Sequence, residues 1–391
     1  MPRDEHRYYR RVTTRAATRC WGLALALGTA VPLAGQTTPS PSPKPPALPE
    51  YEFAWQADLG SSGPISIAVG TSMVFVAGGD EPLVAFTTGE GRKAWTATTA
   101  GAGATLTAAA GLLCAVTPSR TDDQGRRQAG RLDVLDQADG RAKWAIDALS
   151  DPIVGPVVER DTLIVANGAD LRAYSAHDGF LSWRTALDAP AVALAADGGA
   201  LFVALADRTL LRLDIASHAV SWRTSLESAA TAIVAANRKV FVCAEDGALW
   251  AYHQERRGPP IWHVARTEAV GAPAVDHGRV YVAQFDNTAR AYDAGNGTER
   301  WRVRLGSLPR DGVQVAGPHV FIPLLSGAMA TCVARAGRPS GEILLSAPAG
   351  DQASTDRRLA ASALTPDASL IFRVSRPSGY TAWTLTAVRR K

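Results

Sequence analysis

The sequence is poor in cysteine, in charge and in long apolar runs, and each shortage removes a class of protein. Four cysteines occur among 391 residues. Cys20 belongs to an N-terminal leader, which leaves Cys114, Cys243 and Cys332, an odd number, each inside a separate strand-like apolar run. That pattern excludes a disulfide framework and predicts buried free thiols. Charged residues are only 20% of the chain, and the net charge of +4 is concentrated at one end. Residues 1–35 hold Arg3, Arg7, Arg10, Arg11, Arg15 and Arg19 against Asp4 and Glu5, 6 − 2 = +4, so the remaining 35 basic and 35 acidic residues cancel. A nucleic-acid binder carries its excess positive charge on the folded domain, and no such excess is found.

The histidines of the body, His177, His218, His253, His263, His277 and His319, are scattered mostly at turns, without metal-ligand spacing. No nucleophile elbow and no phosphate-cradling loop occurs. The apolar run from Trp21 to about Gly35 is too short, and too interrupted by Pro32, for a comfortable membrane span. Following a basic segment and preceding a polar one, it has the order of an export signal over residues 1–35, either cleaved or retained as an anchor. Membrane association is expected only through an uncleaved N-terminus. Gln36 follows Leu33-Ala34-Gly35 where a lipidated cysteine would be needed, so lipidation is not expected. Residues 36–50 contain six prolines and read as an extended linker.

What the chain has is a repeat. Trp55, Trp95, Trp144, Trp183, Trp222, Trp262 and Trp301 are spaced by 40, 49, 39, 39, 40 and 39 residues. Each unit resolves into four short apolar runs, such as Ile153 to Val158, Leu163 to Ala166, Leu171 to Tyr174 and Ser182 to Leu187, separated by Gly, Asn and Asp. Runs this short with two-residue alternation are strands, and four antiparallel strands per unit of about 40 residues make a propeller blade. Gly91, Gly140, Gly179, Gly258 and Gly297 precede the tryptophan at a turn expected to need positive φ, a place that His218 takes before Trp222. The tryptophans themselves are expected to anchor one blade to the next.

Two further units follow Trp301. One ends at Ile343 to Leu345, with Leu345 replacing the tryptophan, and the last lacks a fourth strand. Tyr51 to Leu59 is a strand without a unit. Pairing it with the C-terminal blade predicts an all-β, eight-bladed β-propeller over residues 51–391, closed and free of open edges.

The aromatic, Asp, Gly and Trp of Ala291-Tyr292-Asp293-Ala294-Gly295-Asn296-Gly297-Thr298-Glu299-Arg300-Trp301 resemble the repeat of pyrroloquinoline-quinone-type propellers, and the resemblance covers essentially all of residues 51–391. Within that family are quinone-dependent dehydrogenases and non-enzymatic propellers, including the outer-membrane-protein assembly factor B lipoproteins. The dehydrogenase branch implies pyrroloquinoline quinone with calcium, a catalytic aspartate and often adjacent cysteines. No two cysteines here are adjacent, and no carboxylate and asparagine cluster suited to a hard cation is evident. No catalytic, cofactor or metal residue is therefore assigned. The expected function is an exported, monomeric, non-catalytic scaffold for protein–protein interaction in the periplasm or cell envelope, with outer-membrane protein assembly as the role the resemblance implies. A quinone-dependent dehydrogenase and a ligand-sensing channel are the alternatives, and first strands such as Ala191 to Ala195 offer few polar groups to the latter.

Candidate partner contacts fall in two sets. The insertion Thr117 to Gly130 carries Asp122, Asp123, Arg126 and Arg127. Asp151, Asp188, Glu227, Glu268 and Asp311 recur once per inter-blade connection, predicting an acidic rim on one face.

Overall fold

In this computed structural model the described residues are 49–60, 65–78, 81–98, 103–121, 125, 127–337, 339–343, 357–377 and 382–391, all within one compact unit spanning Pro45–Lys391. The leader and nearly all of the Pro-rich linker lie outside them, as do Asp122, Asp123, Arg126 and Leu345.

Eight four-stranded antiparallel sheets follow one another along the chain. We number the blades 1 to 8, beginning with the innermost strands Ile65–Val69, Thr105–Ala109, Ile153–Glu159, Ala191–Asp197, Ala230–Ala236, Ala274–Asp276, Gln314–Ala316 and Arg357–Leu364. The innermost strand of blade 1 adjoins those of blades 2 and 8, which closes the ring. Blade 8 takes its outermost strand, Tyr51–Asp58, from the opposite end of the chain, where it pairs antiparallel with Thr384–Arg390. The expected fold and closure are therefore both observed. The 117–130 insertion adds a short hairpin, Arg120–Thr121 with Arg127–Gln128, between the second and third strands of blade 2.

The core follows from alternation along buried strands. In Lys239–Ala244, Val240 and Val242 pack toward blade 4 while Phe241 and Cys243 pack toward blade 6. Because both faces of a middle strand are covered, its sequence is a continuous apolar run rather than an alternating one. Each of the eight blade interfaces accordingly has its own cluster of buried apolar side chains. Cys114, Cys243 and Cys332 are free and buried in these layers, and burial pushes each thiol up to about 12. They are protonated and inert at neutral pH.

The tryptophans lie between blades as expected, with a partner that the repeat alone does not show. The indole N–H of Trp55 donates to the Thr88 carbonyl at 2.9 Å, that of Trp262 to Ala294 at 3.2 Å and that of Trp301 to Ala334 at 2.8 Å, each in the following blade. The turn glycine of that next blade then lies flat against the ring. A Cβ on Gly297 would come within 2.7 Å of Trp262, and one on Gly91 within 2.3 Å of Trp55. Where His218 replaces the glycine it keeps positive φ, at 61°, and Trp183 packs against its ring at 5.1 Å between centroids. Gly258 departs from expectation: its φ is not positive and nothing lies within 4 Å of a Cβ there, because the blade 5 turn is built differently.

Candidate partner-binding face

Connections between blades and the loops joining second to third strands emerge on one face, tied together by short hydrogen bonds. Gly168 N–H donates to Pro152 O at 2.8 Å, Leu226 N–H to Arg208 O at 2.7 Å, and Leu325 N–H to Leu308 O at 2.9 Å. Asp151, Asp188, Glu227, Glu268 and Asp311 are all exposed on this connection face. They are not equivalent. Asp151 accepts from the Ser119 backbone N–H at 3.4 Å and from its hydroxyl, which fastens the blade 2 insertion to the next connection. Asp188 is paired with Arg223, and Asp311 accepts from Gly312 N–H at 2.7 Å. Glu227 and Glu268 make no side-chain hydrogen bond or ion pair among the described residues. Arg127 is exposed on the outer strand of the inserted hairpin.

Two features of this face escape sequence reasoning. A cavity of 660 Å³ opens between blades 5 and 6, lined by Glu245, Asp246, Glu268, Gly271 and Phe285 and by no basic side chain. The same face exposes large apolar side chains: Phe285, in the cavity wall, is 62% exposed, and Leu325 and Leu308, at blade 7 and the connection leading to it, are 52% and 38% exposed. Phe285 and Leu325 occupy second-to-third loops, where a solvated turn needs polar residues, and that mismatch is the signal that would have found them. The Phe285 N–H donates to Glu268 O at 3.3 Å, joining the apolar patch to the acidic cavity.

Several histidines also differ from the expected solvated turns. His319 is buried within a strand at 2% exposure, and His263 stacks on Trp250 with ring centroids 4.5 Å apart. A quinone held with a hard cation would need converging oxygen donors. Among the described residues no three His, Cys, Asp or Glu side chains come together in that way.

An eight-bladed ring of four-stranded units, with tryptophans docked on the turn glycines of their neighbours, defines a propeller of the pyrroloquinoline-quinone-like repeat class. The family model described as outer membrane protein assembly factor BamB matches residues 52–193, 128–236, 171–269 and 219–387, and the chain belongs to that family. Among solved structures, BamB from Moraxella catarrhalis is similar with a TM-score of 0.60 and 14% identity, covering 88% of this chain and 98% of that one. The computationally designed Ika8 protein aligns with a TM-score of 0.51 and 14% identity over 70% of this chain and 97% of its own. No curated protein matches the sequence.

Proposed function

We propose that the protein is an exported, non-catalytic propeller that works without a cofactor and docks envelope proteins through its connection face, in the assembly of outer-membrane proteins. One observation carries this reading: the exposed Phe285 lines a carboxylate-lined cavity on the connection face, which also exposes Leu308 and Leu325. Apolar side chains rimmed by charge of one sign are the usual composition of a protein-docking surface. Membership of the assembly-factor family supports the envelope setting, and the basic and apolar leader supports export. A photo-crosslinking amino acid placed at Phe285 or Leu325 is expected to capture a defined envelope protein in intact cells. The same group at Phe180, 75% exposed in a third-to-fourth turn on the opposite face, is expected to capture none. Equal capture from both faces would remove the connection face as the docking site.

A further inference from the structure

Blade 5 breaks the repeat at its third-to-fourth turn, on the face opposite the connections. In blades 2, 4 and 6 the third strand ends in an aspartate that caps this turn with its own side chain. Asp293 Oδ1 accepts from Gly295 N–H at 2.8 Å, Asp214 Oδ1 from Ser217 N–H at 2.8 Å, and Asp136 Oδ1 from Ala138 N–H at 2.8 Å. The corresponding residue of blade 5 is His253, the last of Leu249–His253, and the turn after it reads Gln254-Glu255-Arg256-Arg257. An anionic cap has been exchanged for an imidazole and adjacent guanidinium groups. His253, Glu255 and Arg256, with Asn237, Arg238 and Lys239 from the first turn of the same blade, line a cavity of 480 Å³.

The charges in that cavity do not balance. Arg238, Lys239 and Arg256 face only one carboxylate, Glu255, which pairs with Arg238 at 3.2 Å. Both members of that pair are largely exposed, at 80% and 65%, so the bond is weak and easily exchanged. Arg256 Nη2 lies 2.8 Å from His253 Nε2. A guanidinium can only donate, so Nε2 accepts and His253 is neutral with its proton on Nδ1. Partial burial, then Arg256, Lys239 and Arg238, depress the imidazole below its ordinary range, with Glu255 opposing. Three cations, one carboxylate and a neutral histidine leave the cavity with a net positive charge.

The geometry points to a binding site for a phosphate group in the blade 5 cavity, held by the Arg238 and Arg256 forks and by Lys239. Guanidinium forks match phosphate oxygens in pairs and the ammonium adds a point charge. A bound anion would also favour the imidazolium, turning His253 from an acceptor of the Arg256 N–H into a further donor. The site is independent of the docking face and does not rest on the function proposed above.

The probe is inorganic phosphate, followed through the ring resonances of His253 at constant ionic strength held with chloride. The expected result is a saturable response in which the His253 titration midpoint moves upward while the ring resonances of His277, on another blade, do not respond to phosphate. The double substitution R238A/R256A abolishes the response, and Glu255→Gln lowers the phosphate concentration at half-saturation. A response no larger than that to chloride, or one that survives the double substitution, overturns the proposal. Vesicles distinguish the source. Pelleting with phosphatidylglycerol in phosphatidylcholine, absent with phosphatidylcholine alone and lost in R238A/R256A, supports a lipid headgroup, whereas a phosphate response without pelleting supports a soluble phosphate compound.

Discussion

At the scale of single residues, glycine does two things in this repeat that substitution can separate. Gly297 and Gly278 have nearly the same φ, 73° and 71°, but a Cβ would meet Trp262 in the first case and nothing within 4 Å in the second. Alanine at Gly278 incurs only the left-handed penalty, about 1–2 kcal/mol. Alanine at Gly297 adds overpacking against the indole, about 1–3 kcal/mol more. Urea unfolding of the two variants should therefore differ by that second amount, and equal losses would show that the glycine serves only the turn. Asp367 offers a test of pH linkage. Hydrogen bonds from Ser369 N–H, the Thr365 hydroxyl and Ser369 lower its carboxyl from 3.8 to about 2. A depressed carboxylate contributes stability that is present above the unfolded value and is lost as pH falls through the folded one. Asp367→Asn should thus lower the melting temperature slightly at neutral pH, and the gap to the parent protein should close between about pH 4 and about pH 2. A gap that persists at the acid end would place the effect in packing instead.

At the scale of elements, the strand Tyr51–Asp58 closes the ring, and Trp55 is its anchor. The indole bonds Thr88 in blade 1 and lies 6.3 Å from Phe86 and 5.9 Å from Phe372, bridging blades 1 and 8. Removing so large a buried side chain costs about 3–5 kcal/mol. Trp95, only partly buried, should cost less when replaced by alanine, and the order of the two urea midpoints tests this. Deleting residues 51–58 leaves Thr384–Arg390 as an unpaired edge, which invites pairing with another chain. Sedimentation should then show more self-association than in the parent protein.

Elements were also what the sequence disclosed best. The four strands around Trp183 were legible to within a residue or two because each is an apolar run between turn residues, and the closure followed from counting strands at the two ends. The glycine contacts were not legible, since Gly91, Gly140, Gly179 and Gly297 each touch a tryptophan of the preceding blade, about 35 residues earlier in the case of Trp262 and Gly297. The acidic residues could be placed on one face by symmetry. Their partners could not: Ser119, which holds Asp151, lies in the non-repeating insertion, and Arg223, though it follows its tryptophan as Arg184 and Arg302 do, pairs with Asp188 where those two pair with Asp170 and Glu299.

At the scale of the whole molecule, repetition makes the interior and its interruptions make the surfaces. Eight interfaces of the same kind distinguish the blades little, so specificity must arise where a loop departs from its counterparts. On the connection face those departures are Phe285 and Leu325 in loops that should be polar, beside Glu245, Asp246 and Glu268. In the proposed docking role, an apolar side chain next to carboxylates with no basic side chain in the cavity suits a partner segment that places Lys or Arg beside an apolar side chain. Charge there governs encounter and its salt dependence, while the apolar side chains hold the complex once formed. Glu245→Gln with Glu268→Gln should therefore leave stability within about 0.5 kcal/mol, since both groups are exposed and make no internal ion pair. The same pair should weaken capture of the envelope partner at low salt and flatten its dependence on ionic strength. Phe285→Ser should weaken capture at every salt concentration. If the two glutamine substitutions leave the salt dependence unchanged, the cavity carboxylates take no part in docking, and the partner is held by the apolar patch alone.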